Sequence, residues 1–167
     1  MGESSENKRL WRTALIVSVV GLVVAAGLGW LAVRMYGDRV QRRVMASNEA
    51  NALYVLEQVS AAEHLYFESN GQYATFRQLV DAGVFQAPLQ ADDVMASQGY
   101  TFRLTLRPRA GASGPFYSVS ADPLRTAGRE ATGRRHFYID SDVVGVRVNE
   151  ERPAGPSDPP RLTVSPY

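Results

Sequence analysis

The chain contains no cysteine. That absence excludes a disulfide framework, a thiolate metal site, an iron–sulfur cluster, a cysteine nucleophile and a lipidated cysteine, and it leaves the redox compartment open. Lysine is almost missing as well: Lys8 stands alone among 18 basic residues, the rest being arginines. Two histidines are present, His64 and His136. An excess of one charge sign is also lacking, because 18 basic residues face 17 acidic ones for a formal +1. Phosphate neutralisation needs a clustered basic surface, so nucleic acid is not an expected partner.

What is there fits an ordered protein. With 45% hydrophobic and 21% charged residues over 167 positions, one compact domain with accessory segments is expected. Residues 14–33 read "ALIVSVVGLVVAAGLGWLAV", a run without a charge. At about 1.5 Å per residue such a helix spans about 30 Å, the thickness of bilayer hydrocarbon. A cleaved signal peptide has a shorter apolar core, about 7 to 15 residues, followed by a small-x-small site. The run here continues into "RMYGD", so an uncleaved signal anchor is the reading. Trp11 and Trp30 lie near the two ends, where indole rings prefer the membrane interface. Gly21, Ala25 and Gly29 recur every four residues and form a candidate helix-packing interface for other integral membrane proteins. The run holds no His, Asp, Glu, Lys or Arg, and so offers neither an axial haem ligand nor a proton relay.

After the span the period stays helical. Val40, Val44, Ala52, Leu56, Val59, Ala62 and Tyr66 trace one stripe of an amphipathic helix over residues 36–68, with Gly37 and Asp38 as a candidate bend. "SNG" at 69–71 supplies a stop, Gly71 being suited to a left-handed cap. A short second helix is expected over residues 73–82, ended by Gly83. Beyond Pro88 the period becomes two. Tyr100, Phe102, Leu104 and Leu106 alternate with Thr101, Arg103, Thr105 and Arg107, and further strands are expected at 116–121, 135–140 and 143–148, the last two joined by a tight turn at Ser141 and Asp142. The expected fold class is α+β: a single transmembrane helix continuing into an amphipathic helix packed on an antiparallel sheet of three or four strands. The segments are residues 1–13, a short polar N-terminus; 14–35, the membrane helix; 36–149, the α+β domain; and 150–167, a tail with prolines at 153, 156, 159, 160 and 166. Such a tail favours an extended arm, and termini this rich in proline are commonly disordered.

The stretch "AAEHLYFESNGQYATFRQLVDAGVF" at 61–85, with "GYTFRLTL", "GPFYSVSADP" and "GRRHFYIDSDVVGVRV" after it, resembles the type IV pilins and pseudopilins over roughly residues 45–148. Ala62, Glu63, Tyr66, Gly71, Tyr73 and Leu79 match the family's pattern at the end of its long helix. The resemblance implies a helix packed on an antiparallel sheet, with Tyr66, Gly71 and Tyr73 as a structural turn in which the two tyrosines wedge the helix end against the first strand. It also implies a bacterial inner-membrane protein, N-terminus cytoplasmic and C-terminal domain periplasmic or otherwise extracytoplasmic. The basic residues flanking the span, Lys8, Arg9 and Arg12 before and Arg34, Arg39, Arg42 and Arg43 after, decide little by themselves. One departure stands out: polar "ESSENKRLWRT" separates Gly2 from the span, and the span has no Glu. Processing by a prepilin peptidase and the usual filament register are therefore not expected.

No motif announces chemistry. His64 and His136 are far apart and lack ligand spacing, so no metal is expected. Asp140 and Asp142 bracket a turn, which suits backbone hydrogen bonding better than calcium with its six to eight oxygens. "GASGP" lacks the strand–turn–helix setting of a nucleophilic serine. Arg129, Arg134 and Arg135 in "AGREATGRRH" mark a candidate partner-binding loop, with a solvated surface loop as the plainer reading. The expectation is thus a non-enzymatic protein without cofactor or metal, a member of a hetero-oligomeric membrane assembly. Two settings remain open: pilus or type II secretion machinery, and an accessory subunit of a respiratory or photosynthetic complex.

Overall fold

A computed structural model of the chain describes residues 3–108, 114–128, 130–143 and 145–161. The chain divides into two units, Met1–Arg42 and Arg43–Tyr167. Helix α1 runs over Glu3–Asn70. In the first unit it is exposed along its apolar stretch: Leu15, Val23, Leu28 and Val33 are all more than half exposed. Among the described residues it is the one helix long and apolar enough to cross a membrane. The expected bend at Gly37 and Asp38 does not end the helix. A single glycine costs only about 1 kcal/mol relative to alanine, which a helix of this length absorbs.

In the second unit α1 turns one stripe inward. Ala52, Leu56, Val59 and Ala62 are buried, as the spacing predicts, and Leu53 joins them, whereas Val40 and Val44 remain 42% and 46% exposed. The stripe therefore enters the core only from about Glu49 onward. Gly71 follows the helix with φ of +67° and its N–H donates to the carbonyl of Phe67 at 2.8 Å, a left-handed stop that glycine adopts without strain. Helix α2 spans Phe76–Asp81, shorter than the expected 73–82. Thr75 starts it through a capping box, its hydroxyl accepting from the N–H of Gln78 while the Gln78 side chain accepts from the N–H of Thr75.

The sheet has six antiparallel strands in sequential order, not three or four: β1 Leu89–Ala91, β2 Val94–Ser97, β3 Tyr100–Arg107, β4 Phe116–Pro123, β5 His136–Asp140 and β6 Arg147–Asn149. The two extra strands are short, and their sequence "LQADDVMAS" carries acids at its turn and too few alternating apolar residues to announce a pair. The last hairpin also differs. Val144 of the expected strand lies outside the described residues; β6 begins at Arg147 and pairs Tyr138 with Arg147 and His136 with Asn149, so the connection is longer than a two-residue turn. Asp140 explains this: its Oδ1 accepts from the N–H groups of Asp142 and Val143 at 2.9 and 2.8 Å, which holds the chain in a wider turn.

Alternation along β3 and β4 turns Tyr100, Phe102, Leu104, Tyr117, Val119 and Ala121 toward α1, with Met95, Phe137 and Ile139 from the flanking strands. Burying each of the larger side chains contributes about 1.5 to 3 kcal/mol. Residues 150–161 are ordered on the free edge of β6. The carbonyl of Pro159 accepts from Val148 N–H at 3.1 Å, and Arg161 N–H donates to the Val146 carbonyl at 2.8 Å. Asp158 anchors this arm through Gly155 N–H, the Asn149 amide and Arg152 at 2.8, 2.9 and 2.8 Å. Leu162–Tyr167 of the predicted tail lie outside the described residues.

Candidate functional site

The helix end holds a carboxyl group away from water. Glu63 is fully buried; its Oε2 accepts from Ala74 N–H at 3.0 Å and its Oε1 has no hydrogen-bond partner. Burial pushes the Glu63 carboxyl up to about 7, the Ala74 N–H offsetting only part of that effect. Around it, Tyr73 stacks on Phe67 with centroids 4.8 Å apart and meets the edge of Tyr117 at 4.7 Å. The Tyr117 hydroxyl donates to Ser60 Oγ at 3.1 Å. Burial raises both phenols, and the Glu63 charge adds to the effect. The tyrosine-rich turn is thus a packing device, but Tyr73 wedges against β4 through Tyr117 instead of against the first strand, and Tyr66 is only half-buried. Glu63, Phe67 and Ser60 complete it.

A second buried carboxylate ties the helix to the strand β5 approach. Glu49 Oε1 accepts from Arg134 N–H at 3.0 Å, and Glu49 Oε2 pairs with the Arg135 guanidinium, the Nε contact being 2.7 Å. The preceding residue, Asn48, donates through Nδ2 to the Thr132 carbonyl at 2.8 Å. The Tyr100 hydroxyl donates to the Arg135 carbonyl at 2.8 Å, and Gly133 lies against the Tyr100 ring so closely that a Cβ there would be 2.8 Å from Cζ. Of the predicted partner-binding loop, Arg135 is therefore engaged with Glu49, Arg134 keeps an exposed side chain, and Arg129 lies outside the described residues. His136 is paired with Asp122 across β4 and β5, Nδ1 to Oδ1 at 2.6 Å, whereas His64 is exposed on α1. Among the described residues no group of three potential ligands gathers to hold a metal ion.

Two grooves open on the second unit. One, of about 580 Å³, runs between α1 and the β5–β6 edge, lined by Glu57, Ser60, Ala61, His64, Ile139, Val146, Pro160 and Arg161 among others. The other, of about 450 Å³, lies beside Tyr54, Val55, Gln58, residues 83–88 and β2. Neither is lined by Glu63. In the first unit Gly21, Ala25 and Gly29 are exposed, and a Cβ added at Gly21 or Gly29 would meet nothing within 4 Å. Sequence reasoning missed both buried carboxylates; Glu63 was legible only as one letter of the pilin-like pattern. Comparison with protein-family models, curated proteins and solved structures gives no match.

Proposed function

We propose that this protein is a non-catalytic, single-pass membrane protein whose pilin-like α+β domain acts in assembly or stabilisation at the bacterial cell envelope. One observation carries the reading: α1 offers an uncharged, exposed apolar stretch from Leu15 to Val33 and, further along, a buried stripe on an antiparallel sheet. A helix with both properties suits a domain tethered to a bilayer. On this reading the short N-terminus is cytoplasmic, the domain is extracytoplasmic in the inner membrane, and the partners are other integral membrane proteins, in pilus or type II secretion machinery.

A second setting is favoured by the span itself. It has no Glu, polar residues precede it, and Gly21 and Gly29 leave one face open to close helix approach. These features suit an accessory subunit of a larger respiratory or photosynthetic complex. Mild-detergent purification from native membranes separates the two settings. Pilus or secretion components at fixed stoichiometry support the first, a defined complex of other integral subunits supports the second, and a chain that emerges without partners contradicts both.

A further inference from the structure

Four arginines follow the span. Arg34, Arg39, Arg42 and Arg43 are exposed, and among the described residues no ion pair holds any of them. Between Arg34 and Asn48 these four face one acid, Asp38. Arg39 and Arg42 stand at i and i+3 on one side of α1, which gathers their charge. The Arg34 guanidinium lies over the Trp30 ring, 5.3 Å from its centroid. Trp30 and Tyr36, 63% and 72% exposed, bracket this first arginine as aromatic residues do at a membrane interface.

Depth decides what such a cluster meets. If the hydrocarbon boundary falls at Val33, Arg39 lies about 9 Å and Arg42 about 14 Å beyond it along a helix rising about 1.5 Å per residue. A headgroup layer is about 5 to 7 Å thick on each side of the hydrocarbon, so Arg34 lies within it and the long Arg39 side chain reaches back to phosphate level. Arg42 remains within about a Debye length of it, about 8 Å at physiological salt. Guanidinium groups bind phosphate oxygens in forked pairs and are weakly hydrated, which favours them over lysine at this depth.

We propose that Arg34, Arg39 and Arg42 form a binding surface for the headgroups of anionic phospholipids in the leaflet at the C-terminal end of the span. The inference rests on the membrane-anchored reading and adds the lipid class. It is tested with the full chain in nanodiscs of phosphatidylcholine and phosphatidylglycerol, by measuring which lipids stay with the protein on mild detergent release. Phosphatidylglycerol should be enriched over its bulk fraction, the enrichment should fall with added salt, and the triple variant Arg34→Gln/Arg39→Gln/Arg42→Gln should bring the bound phosphatidylglycerol-to-phosphatidylcholine ratio down to that of the bulk. Integration is followed separately by resistance to alkaline carbonate, which the triple variant should retain. Bound lipid that mirrors the bulk, or enrichment unchanged in the triple variant, overturns the inference while carbonate resistance leaves the membrane reading standing. Extraction of the wild-type chain by carbonate overturns both.

Discussion

Replacing Glu63 with glutamine removes a charge and leaves the shape. The side-chain carbonyl still accepts from Ala74 N–H, and the group stays in the same apolar surroundings beside Tyr73 and Tyr117. In the wild type the folded carboxyl titrates near 7 against an ordinary 4.5. Because the folded value is the higher one, the native state binds more protons at this site, so the contribution of Glu63 to stability is greatest below about 4.5 and is lost as pH rises through 7. That separation corresponds to roughly 3 kcal/mol at about 1.36 kcal/mol per pH unit. The glutamine amide adds a buried N–H without a fixed acceptor, which costs about 1 to 3 kcal/mol, but the protonated carboxyl carries a similar unsatisfied hydroxyl at Oε1. The variant should therefore match the wild type near pH 5 and be about 2 to 3 kcal/mol more stable near pH 8. Urea unfolding of the full chain in a nonionic detergent, followed by aromatic circular dichroism at several pH values, measures this. A difference between the two proteins that does not change from pH 5 to pH 8 would refute the burial argument.

Three further outcomes follow from the close contacts. Gly133→Ala forces a methyl against the Tyr100 ring and should lower stability by about 1 to 3 kcal/mol; a ring-trimming Tyr100→Leu change should make the same glycine substitution nearly neutral in a double-mutant cycle. Glu49→Gln removes the carboxylate that receives Arg134 N–H and Arg135, and should cost about 1 to 3 kcal/mol in denaturant unfolding, with the larger part retained at high salt because Glu49 is buried. The Asn149 amide and Gly155 N–H hold the Asp158 carboxyl below the usual range, so its contribution is present above about 3.8 and lost as pH falls through the lower folded value. Hydrogen exchange at Gly155 and Arg161 should accelerate in Asp158→Ala at neutral pH and in the wild type only in strong acid; equal exchange in both proteins at neutral pH would remove Asp158 as the anchor of the arm.

Local pattern carried much of the architecture. The charge-free run, the stripe from Ala52 to Ala62, the stop at Gly71 and the alternation in β3 and β4 all depend on spacings of two or three to four residues, and each is where the sequence puts it. What escaped depends on distance. β1 and β2 are too short to show a period, and they form because β3 offers an edge with complementary register. The wide turn after β5 is set by one carboxylate folding back on two N–H groups. Glu49 carries no mark in the sequence, and Glu63 shows only as one letter of a pattern at the helix end. Their burial follows from partners 85 and 11 residues away, Arg134 and Ala74, which no helical period encodes. The proline-spaced arm looked like a free terminus because its anchor, Asp158, and the edge it covers, β6, are both short and irregular.

The absence of cysteine makes the central claim open to a clean chemical test. Single replacements Ser5→Cys, Val24→Cys and Asp81→Cys, one per protein, can be exposed to a membrane-impermeant maleimide in intact cells with a permeable outer layer and again after lysis. A bilayer-spanning α1 with the domain outside predicts labelling at position 81 before lysis, labelling at position 5 only after it, and protection at position 24 until the membrane is dissolved. Labelling at position 24 in undissolved membranes would contradict the account, because the apolar stretch would then lie in water.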